Sequence, residues 1–168
     1  YSCIVPVSGG KDSSYKVLKM KSLGLNPLAV TSQTCDLTPI GRRNIDNLRS
    51  FGVDHINVAP DPRLRAELNR LGLETVGDIS WPEHISIFSI PVRVATWLNV
   101  PLIVWGENSQ NEYGGPPEAA DSAVLDRRWL EEFGGLLGLR VSDFPDYGLD
   151  ERSLALYEYP SNHELLEA

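Results

Sequence analysis

Apolar and polar positions follow two different periods along this chain. Residues 3–7, Cys-Ile-Val-Pro-Val, form a short unbroken apolar run, and a helical spacing begins soon after, at Tyr15, Val17, Leu18, Met20 and Leu23. The pair predicts a strand followed by a helix. Residues 25–31 read as a second strand, with Pro27 near its start, where a missing N–H is tolerated. A helix over 42–51 carries Ile45, Leu48 and Phe51 on one face and stops at Gly52. Residues 54–59 predict a third strand, and Pro62 opens a helix with Leu64, Leu68 and Leu71 inward. The stretch 84–99 is a helix apolar nearly all round, which predicts burial on more than one face, with Pro91 kinking or dividing it. Residues 101–105 are apolar throughout, as suits a fourth, central parallel strand. A last helix turns Leu125, Trp129, Phe133 and Leu136 inward and ends near Gly134-Gly135 or Gly138. After Arg140 the tail is irregular, with one further helical turn expected over 151–156.

Strands alternating with helices predict an α/β fold: a doubly wound, Rossmann-like parallel sheet of four or five strands with helices on both faces. The expected strand order is 3-2-1-4, with any fifth strand outside it. Loops that follow parallel strands gather on one sheet edge, where ligands bind. Residues 8–14, 31–40, 59–61 and 106–117 are therefore expected to line one cleft. One domain spans 1–140, with 141–168 as its tail. The first residue is not Met and the chain enters a strand almost at once, so flanking N- and C-terminal parts are expected beyond it.

The first of those loops carries the most chemistry. It reads Ser8-Gly9-Gly10-Lys11-Asp12-Ser13-Ser14, between a strand and a helix start. Gly9 and Gly10 permit positive φ and close approach of a ligand to the backbone. Free N–H groups at a helix start, together with the helix dipole, bind anions, and Lys11 can reach a phosphate oxygen. The loop is not a Walker A motif, because Val5 and Asp12 stand where Gly and Ser/Thr are required. The loop after the fourth strand, Gly106-Glu107-Asn108, offers a glycine for backbone approach and a carboxylate able to hold Mg²⁺ or orient an amide.

Composition narrows the partners. The formal charge of −8 weighs against nucleic acid, which needs a basic stripe. Lys16, Lys19 and Lys21 read as a solvated helix face, and Glu131 and Glu132 as another. No apolar run approaches the roughly 20 residues of a membrane span. Cys3 reads as a buried strand residue and Cys35 as a loop thiol, with no disulfide framework, which fits a reducing cytoplasm. His55 reads as structural, His84 as a helix-start cap or a partly exposed surface residue rather than a catalytic group, and the three scattered histidines offer no zinc spacing.

The loop 8–14 resembles the Ser-Gly-Gly-x-Asp-Ser pyrophosphate loop of the PP-loop ATPases, whose adenine nucleotide alpha hydrolase-like fold is the doubly wound sheet expected above. A narrower resemblance is to the N-acetyl sugar amidotransferases of surface-polysaccharide synthesis. It is carried by Gly106-Glu107-Asn108 with Glu112-Tyr113-Gly114, by Ile40-Gly41-Arg42-Arg43-Asn44, and by Gly52-Val53-Asp54. The resemblance implies that ATP and Mg²⁺ are used and that AMP and pyrophosphate are formed. Val7, Ser8, Gly9, Gly10, Lys11, Asp12, Ser13 and Ser14 would hold the nucleotide, with Thr31 beside the adenine and Gly106 nearby. Lys11, Asp12 and Glu107 would serve catalysis, Glu107 also as a metal ligand. Arg42, Arg43, Asn108 and Tyr113 would meet a nucleotide-linked sugar whose acetamido group becomes an amidine, with ammonia from a glutaminase partner. The cysteine-bearing N-terminal segment and the C-terminal extension of that family are missing from this sequence. Alternatives are a tRNA-modifying or sulfur-transfer enzyme of the same superfamily, and a nucleotide-binding module without catalysis.

Overall fold

The computed structural model describes residues 1–34, 36–106, 127–133 and 136–167. They fall into two compact units: Tyr1–Ala59 with Ile90–Gly106 and Glu167, and Pro60–Ser89 with the described part of Glu107–Leu166.

The first unit alternates strand and helix as the sequence predicts: β1 Cys3–Pro6, α1 Lys11–Ser22, β2 Pro27–Ser32, α2 Pro39–Ser50 and β3 Asp54–Val58. All pairing is parallel, and the three strands lie in the order β1-β2-β3, with Ile4 beside Leu28 and Leu28 beside Asp54. Successive residues of a strand face opposite ways. Cys3 and Val5 therefore join Val17 of α1, Ala29, Leu48 of α2 and Val53 in one core layer. Ile4 points to the other side, with Leu28, Val30 and Ile90, Val94 and Ala95 of the helix Trp81–Leu98. Helices thus cover both faces of β1 and β2, and that double cover is why these two strands read as apolar runs.

The fourth apolar run differs from its expectation. Ile4 N–H donates to Leu102 O at 2.8 Å and Val104 N–H to Ile4 O at 2.9 Å, beside β1, but the pairing is one isolated parallel bridge, Ile4 with Ile103. Pro101 has no N–H to give, and Leu102 is 46% exposed, so the first residues of this run lack the donor and the cover of a central strand. The face of α1 also differs. Tyr15, Leu18 and Leu23 are exposed, and Val17 is its one buried apolar residue. Phe51 follows the end of α2 as its cap and is likewise exposed.

The second unit is helical. It holds α3 Pro62–Val76, the first half of α4 Trp81–Leu98, α5 Arg127–Phe133, a 3-10 turn Val141–Tyr147, and all but the last residue of α6 Asn162–Glu167. α4 starts three residues earlier than predicted, and Pro91 does not divide it. The tail is more ordered than its sequence suggests, though 151–156 form turns instead of a helix. Its core centres on Trp81, whose indole N–H donates to Leu136 O at 3.1 Å and whose ring meets Phe144 edge-on at 5.0 Å. Gly72 of α3 makes room for it, because a Cβ there would stand 2.6 Å from Asp78 O and 2.8 Å from Trp81 Cβ. Among the described residues, no helix is long and apolar enough to cross a membrane.

Candidate functional site

The C-terminal ends of three parallel strands share an edge, and the glycine loop leaves the sheet there. Val7 still belongs to the sheet: its side chain is buried and its N–H donates to Val30 O at 2.8 Å. Gly9 then takes φ +81°, a left-handed value that glycine alone adopts without strain. Space demands glycine as well. A Cβ on Gly9 would lie 3.0 Å from Gly41 O and 3.1 Å from Ile45 Cγ1, both on α2. Asn44, on the same helix, donates its side-chain amide to Gly9 O at 2.9 Å. The loop is therefore braced from α2, 35 residues away in sequence, a link that no local pattern signals.

Gly10 caps α1, and having no side chain it supplies no oxygen to the first-turn amides. Ser13 and Ser14 do not supply one either: both hydroxyls turn back to donate to Gly10 O, at 2.9 and 3.1 Å. Helix geometry leaves the N–H groups of Lys11, Asp12 and Ser13 without partners inside the helix. α2 and α3 are different, since Thr38 and Asp61 side chains accept from Gly41 N and Arg63 N. Lys11, Asp12 and Ser8 are exposed around the uncapped start. Such a terminus presents donors and a positive dipole end to an anion, with one mobile ammonium beside it. The backbone and Lys11 fit a polyphosphate group. Arg42 and Arg43 are exposed on the turn of α2 between Gly41 and Asn44, so they bring further positive charge to the helix that braces the loop.

Several expected site residues have other work in this structure. Thr31 is buried, and its hydroxyl is held between Val7 O at 2.9 Å and His55 Nε2 at 2.8 Å, so its one proton is spent inside the sheet. Gly106 makes room for Lys16: a Cβ there would fall 2.8 Å from Lys16 Cε and 3.0 Å from its Cδ. Lys16 is half-buried, not solvated, and its ammonium donates to Pro6 O at 3.3 Å under the loop. Lys21 donates to Phe51 O and Gly52 O at 2.7 and 3.0 Å, closing the end of α2. Glu107, Asn108 and Tyr113, like Cys35, lie outside the described residues. Among the described residues, no cluster of three or more His, Cys, Asp or Glu side chains could hold a metal ion.

The second unit contains a cavity of about 160 Å³ lined by Arg127, Glu131, Arg140 and Tyr157 among others. Its two arginines and Glu131 already pair. Glu131 meets Arg127 at 2.8 Å and Arg140 at 3.7 Å, and so is a partly buried bridge, not the solvated side chain its sequence neighbours suggest. His84 lies in the first turn of α4, three residues after its start, with Nδ1 3.0 Å from Asp78 Oδ2.

No protein-family model matches this chain, and no curated protein does. Among solved structures, a predicted subunit of tRNA methyltransferase from Methanocaldococcus jannaschii superposes with a TM-score of 0.42 at 12% identity, over 98% of this chain and 95% of that one.

Proposed function

We propose that this chain is an ATP-dependent enzyme of the PP-loop type, which holds the nucleotide's phosphates on Ser8–Ser14. The observation that carries this reading is the uncapped start of α1 behind Gly9 and Gly10, in the sequence Ser-Gly-Gly-Lys-Asp-Ser-Ser. The loop amides and Lys11 offset charge as it builds on a departing pyrophosphate. The acceptor reading rests on sequence resemblance: an acetamido oxygen of a nucleotide-linked sugar attacks the α-phosphorus and the bond to pyrophosphate breaks. Ammonia from a glutaminase partner then adds at the activated carbon and AMP leaves, giving an amidine. Arg42 and Arg43, with Asn108 and Tyr113, would position that acceptor. Glu107 would bring a carboxylate for Mg²⁺, which travels with the phosphates and lessens their charge. A cytoplasmic setting suits these substrates.

The test is product analysis with labelled ATP, together with ATP–pyrophosphate exchange across candidate acceptors. AMP and pyrophosphate, with exchange that depends on an acetamido sugar nucleotide, support the whole reading. ADP and phosphate as the products would remove the chain from this chemistry. Binding without any turnover would leave a nucleotide-binding module.

A further inference from the structure

One line of hydrogen bonds runs from β3 across β2 to the residue that follows β1, beneath the glycine loop. It starts at His55 on β3, passes through Thr31 on β2, and ends at the carbonyl of Val7, the residue before Ser8. Proton directions along it follow from chemistry. A carbonyl only accepts, so the Thr31 hydroxyl spends its one proton on Val7 O. Thr31 then has only lone pairs for His55, so Nε2 must carry the proton and donate. The line is thus polarised from His55 toward the loop. Thr31 is 2% exposed, and water does not substitute readily there. Burial and the nearby Arg49 guanidinium keep the ring neutral near pH 7, against the weaker pull of Asp46, both on α2.

We propose that His55 is a positioning residue for the nucleotide loop: acting through Thr31, it fixes the plane of the Val7–Ser8 peptide and hence the direction of the amides that follow. This rests on the PP-loop reading of Ser8–Ser14. The Val7 carbonyl and the Ser8 N–H belong to one planar unit, so holding the oxygen sets the amide. Gly9 and Gly10 have little rotational restraint of their own, which makes an external hold necessary.

The experiment compares His55→Gln, His55→Leu and Thr31→Val in the full chain. Gln places an amide donor near the position of Nε2, Leu places none, and Val keeps the shape of Thr31 while deleting its hydroxyl. Two readouts are taken: the backbone amide shifts of Ser8, Gly9 and Gly10 without ligand, and the affinity for ATP and for pyrophosphate by calorimetry. The Leu and Val variants should shift the loop amides and weaken binding about tenfold, the scale of one lost hydrogen bond. The Gln variant should return both readouts most of the way to wild type. Unmoved loop amides in Thr31→Val, or a Gln variant no better than Leu, would overturn the role of His55. Should His55→Leu fail to fold, Thr31→Val against Thr31→Ser, which keeps the hydroxyl, decides the matter by the same amides. A wild-type chain that binds neither ATP nor pyrophosphate would sink the nucleotide reading, while the unliganded amide shifts would still judge the hydrogen-bonded line.

Discussion

The Asn44 amide donates to the Gly9 carbonyl at 2.9 Å, so the first turns of α2 hold the loop that leaves β1. Removing that donor should both loosen the loop and leave a partly buried carbonyl unmet. We predict that Asn44→Ala lowers unfolding stability by about 1 kcal/mol, the usual worth of such a bond. Affinity for ATP or pyrophosphate should fall further than that loss alone explains, because the amides become less ordered. Denaturant unfolding and calorimetry check the two effects; wild-type affinity in the variant would show that the brace is irrelevant to ligand.

Gly9 and Gly10 should respond differently to the same substitution. At Gly9, Ala meets both a left-handed φ of +81° and contacts of 3.0 and 3.1 Å with α2, and a loss of about 1–2 kcal/mol is expected. Gly10 has φ −80°, and its nearest neighbour to an added Cβ is 3.6 Å away. Gly10→Ala should therefore fold nearly as well as wild type. It should still bind nucleotide worse, because the methyl stands on the approach to the first-turn amides. Thermal melts of the two variants, side by side, give the answer, and equal melting losses would refute the distinction.

Gly72 supplies a test of the second unit in which two effects oppose. Helix propensity favours Ala over Gly inside a helix by about 1 kcal/mol. Sterics oppose it, since the added Cβ would be 2.6 Å from the Asp78 carbonyl and 2.8 Å from Trp81 Cβ, neither the end of a flexible side chain. We predict that sterics win and that Gly72→Ala destabilises by about 1–3 kcal/mol, as overpacking does. A chemical denaturation curve shifted to higher midpoint would reverse the conclusion.

The sign of a pH effect follows from His55. Its folded value lies below the ordinary 6.5, chiefly through burial, with Arg49 adding to it. The unfolded chain then binds more protons than the native one between those two values. The stability linked to this ring is fully present above about pH 6.5 and is lost as pH falls through the folded value. Unfolding free energies measured from pH 8 down to pH 5 should decline more for wild type than for His55→Gln, and parallel curves would contradict the assignment.

Lys11 and Glu107 should separate binding from chemistry. Lys11 is exposed, so Lys11→Ala should leave the melting temperature unchanged while ATP affinity drops by about tenfold or more. Glu107→Gln keeps the size of the side chain and removes its charge. ATP binding should change little and turnover should fall by an order of magnitude or more, as when a positioning or acid–base group is lost. Unaltered turnover would return Glu107 to the status of a loop residue.

The strands, the helices and the glycine loop are legible because they are local: an apolar run, a period of 3.6, two glycines before a helix. What escaped depends on partners far along the chain. α1 shows Tyr15 and Leu18 outward and buries Ser13 beside Val17, the Ser13 hydroxyl being satisfied by Gly10, so its inner face cannot be picked by hydropathy. The run 101–105 matches a central strand in composition, yet whether it is covered on both sides is decided elsewhere. Asn44, His55 and Lys16 are single polar residues with no spacing to betray them, and their roles appear only when α2, β3 and α1 meet the loop. Thr31 is placed beside the adenine by the family resemblance, and nothing in its local pattern tells that its hydroxyl is bonded inside the sheet.

β1 is apolar on both faces, and that has a bearing on how the chain finds its fold. Sliding β1 by one residue along β2 would exchange one buried apolar set for another, so burial alone scarcely penalises a misaligned strand. The alignment must be policed from the strand's ends. At one end Ser2 N–H reaches Asn26 O at 2.9 Å; at the other, only one placement offers the Val7 carbonyl to Thr31 and sets Gly9 in the narrow space beside Gly41 and Ile45. The residues that shape the loop are also the ones that tell a collapsing chain how far to insert its first strand, so substitutions there should show up as slow or misaligned folding before any ligand is added.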